Sequence, residues 1–210
     1  MSTIDADPAM SVEATEVQEI LPGVFRWECF SAEHKLELTS HAVLADNQLY
    51  IFDPLPLADK PMRRLLDKQK VAAIFLTNEN HERAAAVWRE QTQAPIWAEE
   101  AADISLSGVQ RWKVGGKHYG PWEISSLEGG AGGEAAFRWR ERSLVVMGDA
   151  IFNLPRYGFD VLPEKYCRDQ RMLRKSLRWL TEEPFETVLF AHGTPLLKGA
   201  SVEIRSLLVR

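Results

Sequence analysis

Short unbroken apolar runs alternate along this chain with polar, turn-rich stretches, and four of those runs stop on a residue with usable chemistry. Tyr50-Ile51-Phe52 stops on Asp53, residues 73–76 on Thr77-Asn78, residues 144–147 on Gly148-Asp149, and residues 188–190 on Ala191-His192. A brief apolar run bounded by turn formers marks a strand buried on both faces, and ligands of α/β proteins collect where the carboxyl ends of such strands converge. The pattern therefore predicts that Asp53, Asn78, Asp149 and His192 are neighbours in space.

Periodicity predicts the remaining elements. Residues 17–30 read as two strands about the Leu21-Pro22-Gly23 turn, and residues 39–52 as a hairpin turning at Asp46-Asn47. Residues 60–70 and 82–91 have helical patterns, with strands expected at 71–76 and 94–98 and a short helix at 99–106. Four strands follow, at 110–114, 122–127, 135–140 and 143–147, joined by Gly-rich turns. A helix is expected over 164–181, where Leu173, Leu177 and Leu180 recur on one face and Glu182-Glu183-Pro184 stops it. The basic residues Arg168, Arg171, Arg174, Lys175 and Arg178 fall largely between the leucines and read as the wet face of that helix.

Composition narrows the function classes. A chain of 210 residues, 45% hydrophobic and 26% charged, suits one folded domain, 17–210, behind an acidic tail, 1–16, that is expected to be disordered. A net charge of −5 argues against a nucleic-acid partner held by phosphate neutralisation. Cys29 and Cys167 are isolated, which argues against a Cys-rich zinc site or disulfide scaffold and suits a reducing cytoplasm. No apolar stretch approaches the ~20 residues of a membrane span, and the start has neither a basic nor an apolar leader region. The expectation is a soluble cytoplasmic protein with no membrane partner; its oligomeric state is not readable.

The order of these pieces resembles the metallo-β-lactamase superfamily. Residues 21–25, Leu-Pro-Gly-Val-Phe, look like its opening strand, and residues 49–54 like its strand ending in Asp. Residues 74–83 sit where that family has T-H-x-H-x-D-H, residues 126–133 where it has P-G-H-T-P-G, residues 146–152 match its G-D-x-x-F strand, and residues 190–195 its final G-H-G segment. The resemblance implies a single-domain α/β fold, a four-layer αββα sandwich with two sheets face to face and helices outside.

It also implies a damaged metal centre. The family's first zinc is held by three histidines at positions that match Asn78, Asn80 and Gly130, and a carboxamide is a poor neutral donor while glycine has no side chain. The second-site positions match Glu82, Arg83, Asp149 and His192, of which Arg83 is permanently cationic and has no lone pair to give. Without ions, the Glu82 and Asp149 carboxylates would repel, so the guanidinium of Arg83 is expected to stand in electrostatically for the second zinc.

Each of these residues also has a plainer reading. Asp149 and His192 can be strand-end hydrogen-bonding groups, Glu82 a carboxylate in the first turn of a helix, and Asn78 and Asn80 caps of that helix, the reading preferred for the two asparagines. His81 is either solvent-facing or a replacement for a lost ligand. Asp53 reads as a support of the site and as a turn-forming Asp-Pro at once. The glycines of 129–133 lack the Lys-Ser/Thr of a phosphate loop and read as a flexible turn.

The leading expectation is a hydrolase-like protein that has lost the dinuclear zinc site, with no cofactor and with Glu82, Arg83, Asp149 and His192 as its active groups. Asp53, Asn78 and Asn80 would support them. The alternatives are a hydrolase of a small ester or thioester with a single divalent metal on Glu82, Asp149 and His192, with His81 as a further candidate ligand, and a non-enzymatic module for a small-molecule or small-anion ligand.

Overall fold

The computed structural model describes residues 13–67, 69–113 and 117–209. The first half is a run of strands, β1 (Gln18–Leu21), β2 (Val24–Ser31), β3 (Leu36–Ala45) and β4 (Gln48–Phe52), then helix α1 (Asp59–Leu66), β5 (Lys70–Phe75), helix α2 (Ala85–Thr92), β6 (Ile96–Glu99) and β7 (Gln110–Trp112). They form one sheet in chain order, β1 to β7. The second half holds β8 (Lys117–Tyr119), β9 (Trp122–Ser126), β10 (Ala135–Trp139), β11 (Leu144–Met147), β12 (Ile151–Leu154), β13 (Gly158–Val161), helix α3 (Gln170–Ser176), β14 (Thr187–Phe190) and helix α4 (Ala200–Val209). Its five-stranded sheet has the order β14-β11-β10-β9-β8, and β12 and β13 form a separate hairpin.

The contacts divide the chain into two compact units. One takes in Met1–Leu76, His81–Trp97 and Leu106–Val109; the other takes in Thr77–Asn80, Ala98–Ser105 and Gln110–Arg210. In the first, β2 and β3 pair antiparallel with Trp27 opposite Ser40, and β4 and β5 run parallel with Phe52 opposite Phe75. Tryptophans anchor this unit: the rings of Trp27 and Trp88 pack at a tilt, 5.3 Å between centroids, and both donate their indole N–H to the carbonyl of Leu55, at 3.2 and 2.9 Å. Burying two large rings therefore strands no polar group. In the second unit, Leu173, Leu177 and Leu180 join Ile204 and Leu207 of α4 over Val145, Met147, Val188 and Phe190.

The strands expected from the apolar runs are present, and the helices are shorter. The 164–181 pattern is broken into a 3-10 turn at Glu164–Tyr166, α3, and a second 3-10 stretch at Leu177–Thr181. Asp169 is the reason for the late start of α3, since its extended backbone and its carboxylate, accepting from Met172 N at 3.0 Å, make it the N-cap. The leucines stay on one buried face and the basic residues remain half-buried or exposed, as the pattern implied. Residues 99–106 make turns and no helix, and the β12–β13 hairpin went unforeseen. Helix α2 begins three residues later than expected because Arg83 holds a left-handed φ of 41°, which an α-helix cannot continue.

Most of the acidic tail lies outside the described residues. Within it, Ala14 is buried, and its N–H donates to Pro56 O at 3.0 Å while its carbonyl accepts from Ala58 N at 2.9 Å. No helix among the described residues is long and apolar enough to cross a membrane.

Candidate functional site

The second unit builds its polar cluster from the ends of neighbouring strands. Because β11 and β14 run parallel with Met147 opposite Phe190, the residues after them, Gly148-Asp149 and Ala191-His192, emerge side by side. His192 Nε2 lies 2.8 Å from Asp149 Oδ1, with both side chains about 15% exposed. Strand β10 pairs antiparallel with β11, placing Ala136 opposite Met147, so the residue just before β10, Glu134, arrives beside the Gly148-Asp149 turn. Its carboxylate is buried, and Oε1 accepts from Ala150 N at 3.1 Å.

Asn78 joins the two acids. Its Nδ2 donates to Glu134 Oε2 at 2.9 Å and to Asp149 Oδ2 at 3.1 Å, while its Oδ1 accepts from Asn80 N at 2.9 Å. The backbone carries the same segment, since Ala135 N donates to Thr77 O at 2.8 Å. Asn78 thus caps the short 3-10 turn Glu79–His81 and not helix α2, whose N-cap is Ala84; Asn80 is exposed and caps neither. This corrects the helix-cap reading of both asparagines. Its cause is the Glu82-Arg83-Ala84 turn, which separates them from the helix.

The Gly-rich loop beside this cluster is tightly seated, contrary to the flexible turn expected. A Cβ on Gly130 would lie 3.0 Å from Glu134 Cγ, and one on Gly148 would lie 2.5 Å from Thr77 Oγ1 and 2.7 Å from Glu134 Oε1. Gly129, at φ 91°, packs its backbone against α3, where Asp169 N donates to Gly129 O at 3.0 Å. Glu79 clasps the same loop. Its carboxylate accepts from Gly132 N at 3.0 Å, Asp103 N at 3.3 Å and Arg168 Nη2 at 2.9 Å, and Glu79 N donates back to Gly132 O. Burial alone would raise the Glu79 pKa, but the two backbone N–H groups and the Arg168 guanidinium outweigh it and hold the carboxyl below its ordinary value.

The first unit contains the other residues singled out from the sequence. Asp53 and His81 form a buried pair, with Asp53 Oδ2 3.0 Å from His81 Nδ1 and both side chains under 5% exposed. His81 is therefore not solvent-facing. Asp53 follows β4 with a left-handed φ of 49°, a conformation that Asp tolerates better than most side chains. Its carbonyl is held twice: it accepts from the Ser40 hydroxyl and, at 2.9 Å, from Arg83 Nη1, which also donates to Thr39 O at 2.8 Å. Asp53 thus serves as a turn residue and anchors the His81 imidazole. Glu82 is half-buried in the turn before α2, and its carbonyl accepts from Ala85 N at 2.8 Å, so its carboxylate is not in a helical first turn.

Of the four strand ends expected to converge, Asn78, Asp149 and His192 are linked directly, and Asp53 is linked to His81. Glu134 was missed. An acid at the start of an apolar strand, immediately after a Gly-Gly pair, carries no recognisable spacing; its only sequence signal is that Ala135-Ala136-Phe137 leaves it at the strand mouth.

A family model described as the metallo-beta-lactamase superfamily matches residues 19–209. The chain belongs to that superfamily. Solved structures agree on the fold of this superfamily member. The DIM-1 metallo-β-lactamase exposed to ceftazidime is 10% identical with a TM-score of 0.74, covering 94% of this chain and 97% of that one. A metallo-β-lactamase from Erythrobacter litoralis is 10% identical with a TM-score of 0.69, covering 92% and 95%. TTHA1623 in a di-iron-bound form is 21% identical with a TM-score of 0.62, covering 81% and 93%. No curated protein is significantly similar in sequence. At these identities the structures establish the mixed α/β architecture and leave the activity to the residues of this chain.

Proposed function

We propose that this superfamily member is hydrolase-like but does not carry the dinuclear zinc site, and that its acid–base chemistry rests on Asp149 and His192. The observation that supports it is the amide of Asn78. This residue stands at a position that the resemblance assigns to a metal-ligating histidine, and it turns its N–H groups, not a lone pair, toward the carboxylates of Glu134 and Asp149. Its oxygen is engaged by Asn80 N. At the third position of that set, Gly130 has no donor, and the space where a side chain would begin is taken by Glu134. These residues do not fit a zinc ion, which needs imidazole, thiolate or carboxylate lone pairs converging on one point.

The groups that remain suit proton transfer. The 2.8 Å approach of Asp149 Oδ1 to His192 Nε2 favours the proton on that nitrogen, which leaves the basic lone pair on Nδ1. Asp149 orients the ring and stabilises it when it gains a proton, the role that a carboxylate plays beside any histidine base. Arg83, bound to two backbone carbonyls, is a fixed positive charge in the first unit.

A second reading, a single divalent ion at Asp149 and His192, is favoured by the adjacency of a carboxylate and an imidazole, both ligating types. Metal analysis of the purified protein after reconstitution with zinc, manganese or iron decides between them. Clearly substoichiometric metal is expected. One ion per chain would establish the second reading, and two would overturn both. Arg83→His, which restores a lone pair at that position, is expected to raise metal uptake above that of the parent chain.

A further inference from the structure

A buried acid that the sequence did not reveal sits behind the proposed acid–base pair, and a line of hydrogen bonds that ends in a 2.8 Å approach of Asp149 to His192 connects them. Ala150 N donates to Glu134 Oε1; Asn78 Nδ2 donates to Glu134 Oε2 and to Asp149 Oδ2; Asp149 Oδ1 faces His192 Nε2. Glu134 is 1% exposed and Asn78 fully buried, whereas Asp149 and His192 are partly exposed. The order of burial runs from the anchor to the working end.

We infer that Glu134 is the positioning residue of this site: through Asn78 it sets the orientation of Asp149, and through Asp149 that of the His192 ring. The inference rests on the proposed reading of Asp149 and His192 as the acid–base pair. It follows from what an amide can and cannot do. A carboxamide has a donor end and an acceptor end, and a half-turn about its last bond exchanges them. Asn80 N needs the acceptor end, and the two carboxylates need the donor end. A carboxylate at residue 134 accepts with both oxygens, so it permits one orientation of Asn78 and forbids the other. That orientation presents an N–H to Asp149, which leaves the other Asp149 oxygen for the histidine.

Glu134→Gln tests this with almost no change of shape. The glutamine can satisfy Ala150 N with its oxygen only by turning its own NH2 toward Asn78 Nδ2, donor against donor. Asn78 Nδ2 then meets a donor where it had an acceptor, and, with its oxygen still held by Asn80 N, it is pushed out of line with Asp149 Oδ2. The readout is the ring proton on His192 Nε2, followed by nitrogen-resolved NMR of the histidine side chains, with the signal assigned by its loss in His192→Gln. In the parent protein it should be protected from exchange by the Asp149 carboxylate. In Glu134→Gln, and independently in Asn78→Asp, which removes the donor from the other side, its protection should fall at least about tenfold, as expected for the loss of some 1.4 kcal/mol.

Glu79→Gln is the control: it loosens the neighbouring loop but is not in the line, and it should leave the His192 signal in place. Unchanged protection in Glu134→Gln or in Asn78→Asp would overturn the inference, and so would equal loss in the Glu79 control. Stoichiometric metal in the parent chain would overturn the metal-free reading instead, so the two failures are told apart.

Discussion

The Glu79 clasp makes a prediction whose sign depends on pH. Glutamine at this position keeps the shape, removes the charge and leaves one oxygen where the carboxylate has two, so one of the backbone N–H groups of Gly132 and Asp103 loses its acceptor. A hydrogen bond to a charged acceptor contributes about 1.5–3 kcal/mol, and the partly exposed position of Glu79 sets the value toward the low end. The Arg168 pair adds about 0–1 kcal/mol, because that guanidinium is 62% exposed. Glu79→Gln should therefore destabilise by about 1–3 kcal/mol at neutral pH, or roughly 2–4 °C in Tm for each kcal/mol. The folded-state pKa of Glu79 lies below its unfolded value of about 4.3. Its contribution is thus fully present above that unfolded value and is lost as the pH falls through the folded one. Urea denaturation of both proteins over a pH series should show a constant deficit of the variant above about pH 5, which shrinks as the pH falls below the unfolded value of about 4.3. A deficit that stays constant across the series, or one that grows on acidification, would refute the charge-assisted clasp.

Two further outcomes follow from the same geometry. Gly129→Ala and Gly158→Ala both force alanine into a left-handed conformation, but a Cβ at 129 also meets the backbone of Asp169 and, at 2.6 Å, Leu173 N, whereas nothing lies within 4 Å at 158. The second should cost about 1 kcal/mol and the first at least about 2 kcal/mol more, compared by thermal unfolding; equal losses would mean that the loop is not seated against α3. Burial raises the pKa of Cys29, and burial together with Glu134, Glu164 and Asp169 raises that of Cys167, so both thiols should react slowly with a disulfide reagent near pH 8 and promptly in urea. Rapid labelling of the native protein would contradict the packing around them.

The placement of strands was legible along the chain because burial on two faces demands unbroken apolar runs, and that demand is local. So was the chemistry at the strand ends: Asp149 and His192 group together on the sequence alone because parallel neighbours bring their carboxyl ends together. Asn78, Asn80 and Gly130 were readable as poor metal donors from residue type alone. Helix limits were not, since they turned on a cap at Asp169 and a left-handed Arg83, features of single residues that periodicity does not encode. Hydrogen-bond direction was further out of reach. Whether Asn78 offers its oxygen or its nitrogen depends on Glu134, 56 positions away and brought alongside only by the pairing of β10 with β11. The burial of His81 against Asp53 likewise required the fold, because a residue one step from a motif position has no period to betray which way it faces. Local patterns of apolarity set which residues reach the mouth of the sheets; only the folded chain, by closing distant donors on distant acceptors, decided what they do to one another there.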